Sequence, residues 1–350
     1  MSKAERQVPW QVLAALLARD PARRGLVGVV DEAQAAAALQ AAAASLAAAR
    51  QVAIVTGFAI PDAPQPAAET DGPPGAVYLA WALAELGIEP ILISDAFGIP
   101  LLAAGCAARG LPESCLVEFP FEPLGGRERN APQLAATTDR WIAQFAARRG
   151  KGLTHLIAIE RCGPSHTRAS LEAQGADAAT LALFEEEVPP AHRDACHNMR
   201  GIDITPFTAK THRLFEHFAQ HPDVTTIGVG DGGNELGMGS LPWSRLRGAI
   251  PFGPGGQIAC RIATQHLLIC GVSNWGGYAL ALATARLRGL TARLAPGDLA
   301  SERQVIEHLV RETSAVDGVT RLREATVDGL PLETYLQILG GLRRAVELAP

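Results

Sequence analysis

The chain has 350 residues, of which 48% are hydrophobic and 19% charged, with a formal net charge of −5. This composition suits a globular protein with a large core and excludes an intrinsically disordered chain. The mildly acidic balance gives no electrostatic footprint for nucleic acid or an anionic membrane surface. No run reaches the roughly 18 apolar residues of a membrane span, and Met1 to Pro9 holds no apolar signal core. A cytoplasmic location is therefore expected. Cysteines at 106, 115, 162, 196, 260 and 270 form no C-x-x-C pair, which reads as reduced, partly buried thiols rather than a zinc site.

Residues 8–50 read as helical, with Trp10, Leu13, Leu16 and Leu17 on one apolar face and breaks at Asp20-Pro21 and Gly25. An alternation then begins. Short apolar β-type runs at 52–56, 90–94, 153–159, 224–229 and 266–270 are mostly followed by a glycine-bearing turn and a helical stretch, as at 75–86, 133–149, 207–220 and 276–288. That rhythm predicts an α/β fold with a mostly parallel sheet and helices on both faces. The final segments 301–313 and 331–348 read as helices packed on a face or edge. The interval 160–204 is a long excursion from a strand end, with a helical stretch at 178–188. Excursions of this kind are lids or binding loops, with a homo-oligomer contact as the alternative. With no convincing linker, residues 1–350 are expected to form one domain carrying this insertion.

The polar clusters follow the strands, so a site is expected at the C-terminal edge of the sheet, outside the carboxyl ends. The densest is Gly228-Val229-Gly230-Asp231-Gly232-Gly233-Asn234-Glu235-Leu236-Gly237-Met238-Gly239. Its literal G-x-G-x-x-G invites a dinucleotide reading, which Asp231 opposes because a carboxylate repels a pyrophosphate there. Residues 245–265 also contain no acidic side chain to hold a ribose hydroxyl. Neither NAD nor ATP is expected. If a helix opens near Gly233, Asp231 and Glu235 share the ligand edge with Asn234 beside them. These hard oxygen donors suit Mg²⁺ or Mn²⁺; the competing reading is Asp231 as a helix cap and Glu235 as a dipole partner. Backbone N–H groups of Gly230, Gly232 and Gly233 are open to a close-lying substrate.

Glu160 and Arg161, with Ser165 in the same cluster, open the excursion, and Asn198 and Arg200 close it. Arginine forks bind carboxylates in bidentate fashion, so a small carboxylate substrate is expected, with an internal Arg–Glu pair as the alternative. Ser273 and Asn274 precede a helix and read either as ligand contacts or as caps. Asp71, in Thr-Asp-Gly-Pro-Pro-Gly, reads as a catalytic carboxylate or an Asx-turn residue. His166 and His197 read as solvated surface histidines, with acid–base chemistry as the alternative.

Five stretches together, ETDGPPGA (69–76), ER-x-GPS (160–165), HNMRG-x-DI (197–204), GVGDGGNELGMG (228–239) and GVSNWGGYAL (271–280), resemble the D-glutamate cyclase family over about residues 50–290. The resemblance implies a hydro-lyase that closes D-glutamate to 5-oxo-D-proline with loss of water. Holding the two ends of the substrate together can supply about 7–11 kcal/mol of the barrier, so ring closure without ATP is reasonable. A divalent ion on Asp231, Asn234 and Glu235 would spread charge on the tetrahedral intermediate, and Arg161 or Arg200 would clamp the α-carboxylate. Asp231, Glu160, Asp71 or a histidine would then take and return protons. Other readings are a related enzyme acting on a different small carboxylate and a non-catalytic small-acid sensor.

Overall fold

The computed structural model describes residues 8–21, 23, 26–121, 131–250 and 253–348. The expected break at Gly25 and the segment 1–7 lie outside the described residues. Among the described residues ten strands occur in order: β1 Gln51–Thr56, β2 Ala59–Ile60, β3 Ala67–Ala68, β4 Glu89–Ser94, β5 Leu116–Glu118, β6 Leu153–Ile159, β7 Thr225–Gly230, β8 His266–Ile269, β9 Thr326–Val327 and β10 Leu330–Pro331. Six of them form one parallel sheet in the order β5-β4-β1-β6-β7-β8. The remaining four make two antiparallel two-strand ribbons, β2 with β3 and β9 with β10.

The five expected strands are all present. The short edge strand β5 carries no long apolar run, and the sequence reading passed over it. Chain order within the sheet reverses at the β1–β6 pair, because the first three strands spread to one side and the last three to the other. Reversal leaves the loops after β1 and β6 diverging, which opens a crevice at their carboxyl ends.

Alternate residues of the central strands face opposite layers. Val52 and Ile54 join one core with Ile157, Ile159 and Val229, while Ala53 and Val55 join the other with Leu156 and Ala158. Burial on both faces explains why these strands read as continuous apolar runs. The first layer is built by the helices Glu32–Ala47, Pro73–Glu85, Ser273–Arg288 and Leu332–Leu348, and the second includes the helices His212–Phe218 and Trp243–Ala249. The helix expected over 207–220 is shorter because Thr205–Phe207 forms a 3-10 turn before it. Among the described residues no helix is long and apolar enough to cross a membrane.

Two helices of the first layer hold each other's N-termini. Asp71 accepts from the backbone N–H groups of Ser273 (2.9 Å) and Asn274 (2.8 Å), at the start of the helix Ser273–Arg288. Asn274 Oδ1 in turn accepts from the N–H groups of Gly72 (2.9 Å) and Gly75 (2.7 Å), at the start of Pro73–Glu85. The orphan donors of each helix are thus satisfied by a side chain belonging to the other. The approach is close enough to require glycine: a Cβ on Gly75 would lie 2.6 Å from Asn274 Cα, and one on Gly277 would lie 2.7 Å from the Gly75 carbonyl oxygen.

This contact predicts a large difference between two glycine substitutions. Gly75→Ala is expected to destabilise the fold by about 3 kcal/mol, since the clash is with backbone and cannot be relieved by a rotamer change. Gly28→Ala, with nothing within 4 Å of the added carbon, should change stability by less than about 0.5 kcal/mol. Urea midpoints compare the two, and equal shifts would disprove the close packing.

Candidate active site

The carboxyl ends of the central strands bring three acidic side chains together. Asp71, Glu160 and Asp231 each place one carboxylate oxygen within 4.8 Å of the others, and all three residues are buried. Glu160 directly follows β6 with φ 44°, in the left-handed region that a residue with a side chain rarely adopts. Its backbone N–H donates to the Val229 carbonyl at 3.1 Å, extending the β6–β7 ladder, and its Oε2 accepts from Ser273 Oγ at 2.7 Å. Gly72, with φ +97°, leaves the needed room, because a Cβ there would lie 2.8 Å from Glu160 Cβ. Two helix N-termini therefore converge on the acids, and their positive ends favour negative charge.

The glycine loop departs from expectation. No helix opens at Gly233; residues 231–239 run as turns and isolated bridges, and the next helix is Trp243–Ala249. Gly233 and Gly237 adopt φ +96° and +109°, which breaks helical geometry. Glu235 folds back on its own loop, accepting from the N–H groups of Gly232 (2.7 Å) and Gly233 (2.8 Å), with that of Asp231 at 3.4 Å. The anion nest that a phosphate would use is filled by the chain's own carboxylate. Those two glycine N–H groups, assigned above to substrate, are engaged internally. A side chain at Gly230 would also collide with Glu235, 2.8 Å from its Oε2. Asn234 donates from Nδ2 to the His197 carbonyl at 2.6 Å. Among the described residues, the acids whose spacing could hold a cation are Asp71, Glu160 and Asp231, which share only Asp231 with the expected trio of Asp231, Asn234 and Glu235.

Arg161, expected as a substrate clamp, is engaged within the protein. Its fully buried guanidinium donates to the Gly57 carbonyl (2.6 Å), Asp95 Oδ2 (2.6 Å), the Ala209 carbonyl (2.9 Å) and Thr211 Oγ1 (3.0 Å), tying together the chain ends after β1 and β4. Ser165 is likewise structural, donating to the His192 carbonyl at 2.8 Å. Asn274 acts as the reciprocal cap, while Ser273 reaches Glu160. Asn198 Oδ1 accepts from the N–H groups of Arg200 (2.9 Å) and Ile202 (3.1 Å) and so shapes the turn that presents Arg200. His166 and His197 are both buried rather than solvated. Burial pushes the His166 pKa down to about 4 and lowers that of His197, keeping both rings neutral. The six cysteines are all free and buried.

A cavity of about 700 Å³ opens above the acids, lined by Glu160, Asp231, Asn234 and Glu235 from the sheet edge and by Asn198 and Arg200 from the excursion. Its remaining wall was missed by the sequence reading. Phe58 to Asp62 form one side around the β2–β3 ribbon, and Gly318, Val319, Arg321 and Asp328 come from the segment before and within β9–β10. The buried Asp317 organises that segment, accepting from the N–H groups of Val319 (2.8 Å), Thr320 (2.9 Å) and Gly329 (2.7 Å) and from Thr326 Oγ1 (2.7 Å). The dipeptides Asp317-Gly318 and Asp328-Gly329 are turn signals that could have revealed an ordered segment between the last two helices.

Glu160 carries the electrostatic strain of the site. Burial raises its pKa well above the ordinary 4.5, reinforced by the charges of Asp231, Glu235, Asp71 and Glu69. Between the ordinary value and the raised one, the native protein binds a proton that the unfolded chain releases. Stability therefore falls as pH rises through that window, by up to about 1.4 kcal/mol per pH unit. With EDTA present, Glu160→Gln is expected to match the parent chain below the unfolded pKa and to exceed its stability at pH 8. Urea denaturation at pH 4 and pH 8 tests this, and parallel pH dependence in the two proteins would refute it.

Comparison with known sequences bears on the same residues. The sequence model of the family described as D-glutamate cyclase-like, C-terminal, matches residues 13–183 and 171–343, intervals that contain the acidic trio, Ser273 and the C-terminal cavity wall. The chain is also 30% identical over 308 residues to the mitochondrial D-glutamate cyclase of Homo sapiens, an alignment covering 81% of this chain and 43% of that relative. The chain thus spans less than half the length of that relative. With the family matched from residue 13 to residue 343, this protein belongs to the D-glutamate cyclase-like, C-terminal family.

Proposed function

We propose that this protein is a hydro-lyase that closes D-glutamate to 5-oxo-D-proline with release of water. The observation that carries the reading is the trio of buried carboxyl groups within 4.8 Å of one another, beneath a cavity whose rim bears arginine. Family membership and the similarity to the human protein named a D-glutamate cyclase support it.

Ring closure forms a bond from the α-nitrogen to the γ-carboxyl carbon and breaks one C–O bond. The ammonium brings three protons: one stays on the lactam nitrogen and two leave with the oxygen as water, so the residues move protons without consuming them. Asp231 takes a proton from the ammonium and frees its lone pair. Glu160, held protonated by burial and by its acidic neighbours, gives a proton to the departing oxygen. Ser273, hydrogen-bonded to Glu160, fixes the orientation of that carboxyl. Confinement of both substrate ends in one cavity supplies the proximity term, about 7–11 kcal/mol for a well-aligned intramolecular attack.

A divalent cation is the other means of relieving the same repulsion. The all-oxygen set of Asp71, Glu160 and Asp231 fits Mg²⁺ or Mn²⁺. Such an ion would supply Lewis-acid polarisation of a carboxylate there.

NMR of the purified protein with D- or L-glutamate, with and without Mn²⁺ or Mg²⁺, tests the reading. Growth of 5-oxoproline from the D form is the expected result; no product from either enantiomer with folded protein would reject it. Asp231→Asn is expected to cut kcat at least about 100-fold with the unfolding transition kept cooperative. An unchanged kcat would remove Asp231 from the mechanism. A raised Tm with Mn²⁺, lost in the same variant, would assign the ion to this cluster.

A further inference from the structure

The cavity is electrically polarised between floor and rim. Among its described lining residues the cations are Arg200 and Arg321, and both meet the same carboxylate: Asp62 Oδ2 lies 2.8 Å from Arg321 Nη1 and 3.6 Å from Arg200 Nη1. These three side chains are 38% (Asp62), 28% (Arg321) and 57% (Arg200) exposed, whereas Glu160, Asp231 and Glu235 on the floor are buried. The arginines come from unrelated parts of the chain, one from the turn shaped by Asn198 and one from the segment organised by Asp317. Arg321 is held at φ 61°, and its N–H donates to the Asp317 carbonyl at 2.8 Å. A non-glycine residue kept in that conformation by a buried hub marks a position where the backbone is set to aim a side chain.

We propose that Asp62 is an internal stand-in for a ligand carboxylate, keeping Arg200 and Arg321 paired until the α-carboxylate of an amino acid displaces it. The half-exposed ion pair is weak, so exchange is easy, while the guanidinium fork gains a carboxylate of the same geometry. The acidic floor attracts the ammonium and the basic rim takes the carboxylate, so the ligand class is an α-amino acid oriented amine-inward. This deepens the cyclase reading by assigning Arg200 and Arg321 to the α-carboxylate and Asp62 to specificity.

D-norvaline serves as the probe, because it keeps the ammonium and α-carboxylate but has no second carboxyl to cyclise. Butylamine is the control without a carboxylate. In ligand-observed NMR titrations Asp62→Asn is expected to bind D-norvaline about threefold tighter, with no tightening for butylamine. Arg321→Ala is expected to bind D-norvaline about tenfold more weakly. Unchanged or weaker D-norvaline binding by Asp62→Asn, or no binding by the parent chain, overturns the proposal. Failure to form 5-oxoproline from D-glutamate with this binding pattern intact would reject the cyclase reading alone.

Discussion

The reciprocal cap between Asp71 and Asn274 is the contact on which the site rests. Each side chain satisfies the open N–H groups of a helix to which it does not belong, so neither helix end is complete alone. Because Asp71 is fixed by the second helix, its carboxylate stands beside Glu160 and Asp231 rather than in solvent. Ser273, one residue before the capping asparagine, is carried along and meets Glu160. One polar exchange thus sets the spacing of the two helices and the geometry of the acidic trio.

Much of this was legible in the sequence, and the reason is periodicity. The central strands are buried on both faces, so they appear as unbroken apolar runs, and the polar residues after them mark the carboxyl edge. What could not be read was the partner of each polar group. Arg161 looks like a carboxylate clamp from its neighbours, yet its guanidinium is used up by Asp95 and by carbonyls after β1 and before the helix His212–Phe218. Glu235, spaced four residues from Asp231, suggested a shared helical face until its carboxylate proved to fold onto its own loop. Such partners are chosen by tertiary approach, which spacing along the chain does not encode. The wall from Asp317 to Leu330 was missed because it has neither helical nor strand periodicity; its order comes from one buried aspartate.

The site also illustrates a tension between folding and chemistry. Burying several carboxyl groups side by side raises the proton affinity of Glu160, and a proton or a divalent ion can each quiet the repulsion. A divalent ion bound there, as proposed, would compete with the proton for the same oxygens, and its affinity would rise with pH. The fold tolerates these acids because a helix N-terminus donates to Asp71, Ser273 donates to Glu160, and the glycine-loop amides donate to Glu235.

The same cap joins positions about two hundred residues apart, with sequence separations of 202 and 203 for the bonds to Asp71. During synthesis the first half of the sheet emerges long before the second helix exists to hold Asp71. Asp71 therefore has its partner N–H groups only once the distant segment docks. The crevice is thus built from segments far apart in the chain, a non-local contact of the kind that slows folding. A chain truncated before residue 273 would contain all six strands of the parallel sheet but would leave its first acidic loop without the partner that shapes it.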